Sequence, residues 1–141
     1  MLTAKAALNN EALAAFAVDL TDRIWNKQEL GYIDEVFHPD VEIHSPLGQF
    51  KGVEGIHHVL SHWMNGFSKM HIQVSNVDVG GDFVVLQWIA EAIHSGTFQG
   101  ISPTQRAVKY KGETCYRIID DVVVEYKAYI DANAFSQQIE K

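Results

Sequence analysis

One cysteine, three prolines and no dense run of positive charge set the first limits on this 141-residue chain. The lone Cys115 excludes an internal disulfide and suits a reducing compartment, which makes the cytoplasm the expected location. Packing in a strand is its expected role, because no CxxC partner or neighbouring positive group activates the thiol. Eighteen acidic residues against eleven lysines and arginines give a net charge of -7, which argues against nucleic acid and anionic membranes as partners. No apolar stretch approaches the roughly 20 residues needed to cross a bilayer. Met1 to Asn10 is alanine-rich and mild, without the charged-then-apolar order of a secretion signal. P-loop, GxGxxG, HExxH and nucleophile-elbow patterns are all missing. So are repeats and Pro/Ser-rich linkers, and residues 1–141 read as a single domain able to bury a sizeable core.

What is present is ordered in two halves. Leu13, Phe16, Ala17, Leu20, Ile24 and Trp25 recur at three-and-four spacing and predict a helix from about Asn10 to Asn26. A shorter helix is expected over Glu29–Phe37, stopped by Pro39. Val41 to His44 alternates as a short strand, with Leu47–Phe50 as a possible hairpin arm. A third helix over about Val53–Phe67 carries Ile56, Val59, Leu60 and Trp63. Four strand-like segments then follow, Met70–Val79, Phe83–Ile93, Arg106–Ile119 and Val122–Ile130, rich in Val, Ile, Tyr and Phe. Gly80-Gly81-Asp82 and Asp120-Asp121 are turn signals between them. Helices first and long antiparallel strands after is the α+β pattern, with helices on one face of a sheet. Both faces of Phe83–Ile93 are largely apolar while helices cover only one, so a homodimer through the sheet is expected.

The last strand carries the clearest polar pattern. Val122, Val124, Tyr126, Ala128 and Ile130 form one face; Val123, Glu125, Lys127, Tyr129 and Asp131 form the other. This second face reads either as solvated or as the wall of a concave pocket. In a pocket, Asp131 would serve as general base toward an acidic C–H or a water. His94, at a strand end beside the Gly96 to Pro103 connection, is either a hydrogen-bonded structural residue or a donor to a carbonyl oxygen that gains charge. His44 ends a short strand and would face a pocket. His58 and His62 stand four apart on a helix but lack a third ligand, so no metal site is expected. Trp63, Trp88 and Phe67 are either pocket walls or plain core.

Several stretches, taken in order, resemble a known family. They are Ile24-Trp25-Asn26-Lys27-Gln28-Glu29-Leu30, Gly52-Val53-Glu54-Gly55-Ile56, His94-Ser95-Gly96-Thr97-Phe98-Gln99-Gly100-Ile101-Ser102-Pro103-Thr104, Tyr116-Arg117-Ile118, and Glu125 with Asp131. The sequence is similar to the SnoaL-like polyketide cyclases of the nuclear-transport-factor-2-like superfamily. That resemblance implies a cone-shaped α+β fold, N-terminal helices packed on a curved, mostly antiparallel sheet that encloses a pocket, and a frequent dimer through the sheet. It implies ring closure or a related isomerase or aldol-type reaction on a small hydrophobic carbonyl compound, with neither metal nor organic cofactor. Asp131 matches the proton-abstracting aspartate and His94 the motif histidine; Tyr129, Lys127, Trp63, Trp88, Phe67 and His44 are the expected substrate contacts. The family's usual tryptophan two positions after Glu125 is Lys127 here, a cation that would weaken Asp131 as a base or favour an anionic ligand. Two other functions fit the same pocket: a non-catalytic small-ligand-binding domain, and a water-activating enzyme of the epoxide hydrolase kind.

Overall fold

Alternating side chains build one six-stranded sheet, and the helices take up its apolar inner face. The computed structural model describes residues 2–140. The strands are β1 (Phe37–Ser45), β2 (Gly48–Lys51), β3 (Phe67–Gly80), β4 (Phe83–His94), β5 (Ala107–Ile119) and β6 (Val122–Ile130), in the spatial order β2-β1-β6-β5-β4-β3. Every neighbouring pair is antiparallel except β1 with β6, which is parallel. Helices α1 (Leu2–Thr21), α2 (Gly31–Val36), α3 (Val53–Gly66) and α4 (Ala132–Glu140) complete the α+β arrangement. Among the described residues, no helix is long and apolar enough to cross a membrane.

On β4 the residues Val84, Leu86, Trp88, Ala90, Ala92 and His94 are all buried, and the intervening ones face outward. Val108, Tyr110, Thr114, Tyr116 and Ile118 do the same on β5. Against this inner face α3 places Ile56, Val59, Leu60 and Trp63, the three-and-four spacing that aligns side chains along one side of a helix. Asp120 and Asp121 turn β5 into β6 with φ of +52° and +62°, the left-handed pair that two-residue hairpins require.

Several boundaries differ from the sequence expectation. The first helix begins at Leu2, so Asn10 lies inside it rather than at its start. It gives way to a π-helical turn over Asp22–Asn26. The Asn26 side chain accepts from Ile72 N at 2.7 Å and donates to Ile72 O at 2.9 Å, tying this turn to β3. Pro39 stops no helix: α2 ends at Val36, and Pro39 lies exposed in β1. Helix α4 was not anticipated, although Phe135 and Ile139 are buried at four-residue spacing.

Candidate functional site

A cavity forms where a pair of inward positions on neighbouring strands carries little bulk. They are Thr114 on β5 and Ala128 on β6, which pair with one another. Larger side chains ring the gap: Trp88, Tyr110, Tyr126 and Ile130 from the sheet, Val59 and Trp63 from α3, and Thr21 and Trp25 from the first helix and its π-helical turn. Ser45 and Pro46, in the β1–β2 turn, complete the wall. The enclosed space is about 30 Å³, enough for two or three waters at roughly 10–15 Å³ each. Pro46, Trp63 and Ile130 also border a second, more open groove of about 250 Å³, which Phe98, Phe135 and Ile139 extend toward α4. These three shared side chains are the partition between cavity and groove.

The cavity wall is apolar with a few hydroxyls, and no carboxylate, imidazole or ammonium lines it among the described residues. Thr21 Oγ1 donates to Ala17 O at 2.9 Å, so the Tyr116 hydroxyl donates to Thr21 Oγ1 at 2.8 Å. The Trp88 indole Nε1–H donates to Thr114 Oγ1 at 2.9 Å. The hydroxyls of Tyr110 and Tyr126 have no hydrogen-bond partner among the described residues. Burial pushes both well above the ordinary tyrosine value, so both keep their protons near neutral pH and act as donors.

An aromatic cluster closes the end nearest α4. The Trp63 ring lies 4.8 Å from Phe98, 5.8 Å from Phe67 and from Tyr110, and 5.4 Å from Phe135. Trp63 and Trp88 therefore do line the cavity, whereas Phe67 sits behind Trp63 in the core.

His94 is fully buried on the inner face and does not border the cavity. Its Nδ1 meets Thr104 Oγ1 at 3.0 Å and accepts the Thr104 backbone N–H at 3.3 Å. This assigns the proton of the neutral ring to Nε2, which has no partner among the described residues. Gly66 O accepts the N–H groups of Ser95 and Gly96 at 3.2 and 3.0 Å. The motif from His94 to Thr104 thus straps the β4–β5 connection onto the end of α3 and inserts Phe98 beside Trp63.

The polar face of β6 lies on the other side of the sheet. A register shift between Arg117 and Ile118 changes the phase of the hairpin. Val123 is buried with Tyr126 and Ala128, and Glu125, Lys127, Tyr129 and Asp131 turn away from the helices. His44, paired with Lys127 across the parallel β1–β6 ladder, lies on that outer face too and borders a shallow groove with Tyr129. Asp131 is exposed and starts α4: its Oδ1 accepts Ala134 N–H at 3.0 Å, and its carbonyl accepts Phe135 N–H at 3.0 Å. This is an N-cap, which satisfies a donor that the helix cannot use internally. Asp131 borders an outer groove with Tyr129, Lys111 and Glu113. The expected site residues therefore fall into three groups. Trp63 and Trp88 are at the cavity, His94 and Phe67 are in the core, and Asp131, Tyr129, Lys127 and His44 are on the outer face. Sequence reasoning missed Thr114 and Tyr110 as cavity hydroxyls, because no local pattern marks either as facing a gap in the sheet.

Among the described residues, no group of three or more His, Cys, Asp or Glu is arranged to hold a metal ion. His58 packs on Phe50 and His62 on Phe98, each with ring centroids 5.1 Å apart.

Solved structures of low sequence identity share the fold. A protein from Jannaschia sp. CCS1 described as a SnoaL-like polyketide cyclase has a TM-score of 0.79 at 22% identity, over 90% of this chain and 93% of that one. AclR from Streptomyces galilaeus, described as a hydroxylase, has a TM-score of 0.82 at 21% identity, over 93% of this chain and 82% of its own. TerC, co-crystallised with polyporic acid, has a TM-score of 0.69 at 22% identity, over 92% of this chain and 95% of its own. No curated protein matches the sequence. The helices, the curved sheet and the enclosed cavity agree with the one family whose sequence pattern runs through residues 15–139, and the chain belongs to that family, the SnoaL-like polyketide cyclases.

Proposed function

We propose that the chain binds a small, uncharged, largely apolar carbonyl compound in the cavity between helices and sheet, and that binding is its primary activity. The observation that carries this is the wall itself: Trp25, Trp63, Trp88, Val59, Ile72 and Ile130 with hydroxyls as the polar side chains. Such a site rewards flat apolar surface and disfavours a bare charge, which would lose its hydration with no counter-ion. The closed cavity of about 30 Å³ is far below the several hundred Å³ of a typical ligand pocket. Entry therefore requires Ile130 and Pro46 to give way, so that cavity and adjoining groove merge. TerC, which has the same fold, was co-crystallised with polyporic acid, which supports small-molecule binding as the reading here.

A second reading, cofactor-independent ring closure or isomerisation with Asp131 as general base, draws on one observation. Asp131 directly follows Ile130, which borders the cavity, and it heads α4, whose Phe135 and Ile139 line the groove. Displacement of α4 would carry the carboxylate toward a ligand that fills both spaces. His94 would support that reaction as the residue holding the Phe98 strap in place.

One experiment separates the readings. A panel of one- to three-ring ketones is titrated calorimetrically, and loss of their α-proton signals is followed by NMR in heavy water. Binding without accelerated exchange is the expected result. Accelerated exchange that Asp131→Asn abolishes would establish the enzyme, and failure of every ketone to bind would reject both.

The same reading seats a second copy of the chain on the outer sheet face. Phe83, Ile119 and Tyr129 are 39%, 40% and 56% exposed there, beside the half-buried Val85, Ile89 and Ile93. Sedimentation should show a dimer at micromolar concentration that Ile89→Lys dissociates; a wild-type monomer would refute the assembly.

A further inference from the structure

We propose that Thr114 is the specificity-determining residue of the cavity, the group that reads an oxygen of the bound compound, with its proton aimed by the indole of Trp88. The inference rests on the cavity being the binding site. Thr114 Oγ1 accepts the Trp88 Nε1–H at 2.9 Å. A hydroxyl has one proton to donate and two lone pairs. With one lone pair committed to the indole, the oxygen is fixed and the proton remains to be placed. No acceptor for it is present among the described residues, and Thr114 is 5% exposed, so the proton is left to a group inside the cavity.

The surroundings hold this pair in place. Trp88 lies opposite Gly112 on the neighbouring strand, and a Cβ on Gly112 would overlap the indole ring and approach Tyr129 O at 2.7 Å. The missing side chain lets the indole lie flat against β5 and brings Nε1 to Thr114 two residues on. Opposite Thr114 on β6 is Ala128, whose short side chain leaves the space in front of the hydroxyl open. The tyrosine hydroxyls that share the cavity lack such an anchor: Tyr110 and Tyr126 are free to rotate about their C–O bonds. Thr21 and Ser45 also accept a hydrogen bond, but they spend their protons on Ala17 O and Gly48 O. Among the described residues, Thr114 is the lining hydroxyl held by a donor with its proton still to place, and a donor polarised in this way strengthens its own outgoing hydrogen bond.

The test compares 1-tetralone with tetralin, which has the same two rings with a methylene in place of the carbonyl. Affinities of both are measured for wild type, Thr114→Val and Thr114→Ser. The ketone-to-hydrocarbon preference should fall about tenfold in Thr114→Val, the scale of one lost buried hydrogen bond. Tetralin affinity should stay within about twofold, and Thr114→Ser should restore the preference. A merely structural threonine would weaken both ligands alike and leave the preference unchanged, which would overturn the assignment while leaving the cavity as the binding site. Binding of neither compound to wild type would instead reject the binding-site reading and this inference with it. If Thr114→Val does not fold, the wild-type protein still decides the matter. The Trp88 indole N–H resonance should move further on saturation with tetralone than with tetralin, and equal shifts would refute the proposal.

Discussion

Tyr116 on β5 donates its hydroxyl proton to Thr21 on α1 at 2.8 Å, and both residues are almost fully buried. The two partners are unequal, because Thr21 also donates to Ala17 O. Tyr116→Phe removes a donor and leaves Thr21 still bonded, at a cost of about 1 kcal/mol. Thr21→Val leaves a buried phenol with no acceptor and should cost about 2 kcal/mol. Urea denaturation of the two variants checks the order; an equal or reversed cost would show that the phenol finds another partner.

Burial raises Tyr110, Tyr116 and Tyr126 above the ordinary value of 10. In the unfolded chain these phenols ionise near pH 10, whereas in the fold they keep their protons. Above that pH the folded state binds more protons than the unfolded one, and stability falls as pH rises. Thermal melting should be flat in this respect from pH 7 to about 9 and decline steeply beyond 10. Tyr126→Phe should make the alkaline slope shallower, and an unchanged slope would contradict the assignment.

Two glycines of the His94 to Thr104 strap should respond differently to alanine. A Cβ on Gly96 would overlap the Asn65 carbonyl, while one on Gly100 meets nothing and only its φ of +81° is unfavourable. Gly96→Ala should cost about 3 kcal/mol or displace the strap, and Gly100→Ala about 1 kcal/mol. Comparable melting temperatures for the two variants would show that the strap yields easily.

Asp131 caps α4, so Asp131→Ala should destabilise the protein by about 1 kcal/mol and increase hydrogen exchange in the last helix. Asparagine caps nearly as well, and Asp131→Asn should leave stability close to wild type. That separation makes Asp131→Asn a clean probe of proton abstraction, since a loss of turnover in it would not reflect an unfolded helix.

The strands of the second half were legible because Val, Ile and aromatic residues alternate over long segments there, and turn residues such as Asp120-Asp121 stand between them. Alternation divides a strand into two faces without saying which is inside. On β4 the helices decide it. On β6 the shift between Arg117 and Ile118 moves Val123 inward, a displacement that period-two counting does not register. Asp131 shows a different limit. Its place at the end of a strand was readable, but the cap it forms depends on α4, whose short amphipathic pattern after Asp131 went unread. The cavity was least legible of all, because it opens where the short side chains of Thr114 and Ala128 pair, and nothing local marks two such residues as neighbours across a sheet.

The parallel pairing of β1 with β6 has a consequence for how the chain reaches this shape. Phe37 pairs with Val123 and Ile43 with Tyr126, contacts of high sequence separation that carry a large loop-closure entropy and slow folding. During synthesis the β1–β2 hairpin must wait, one edge unpaired, until β6 has emerged, while β3, β4 and β5 can assemble by neighbouring hairpins. The seam between β1 and β6 therefore closes last, and the β1 edge left unpaired until then is a template for pairing with another chain.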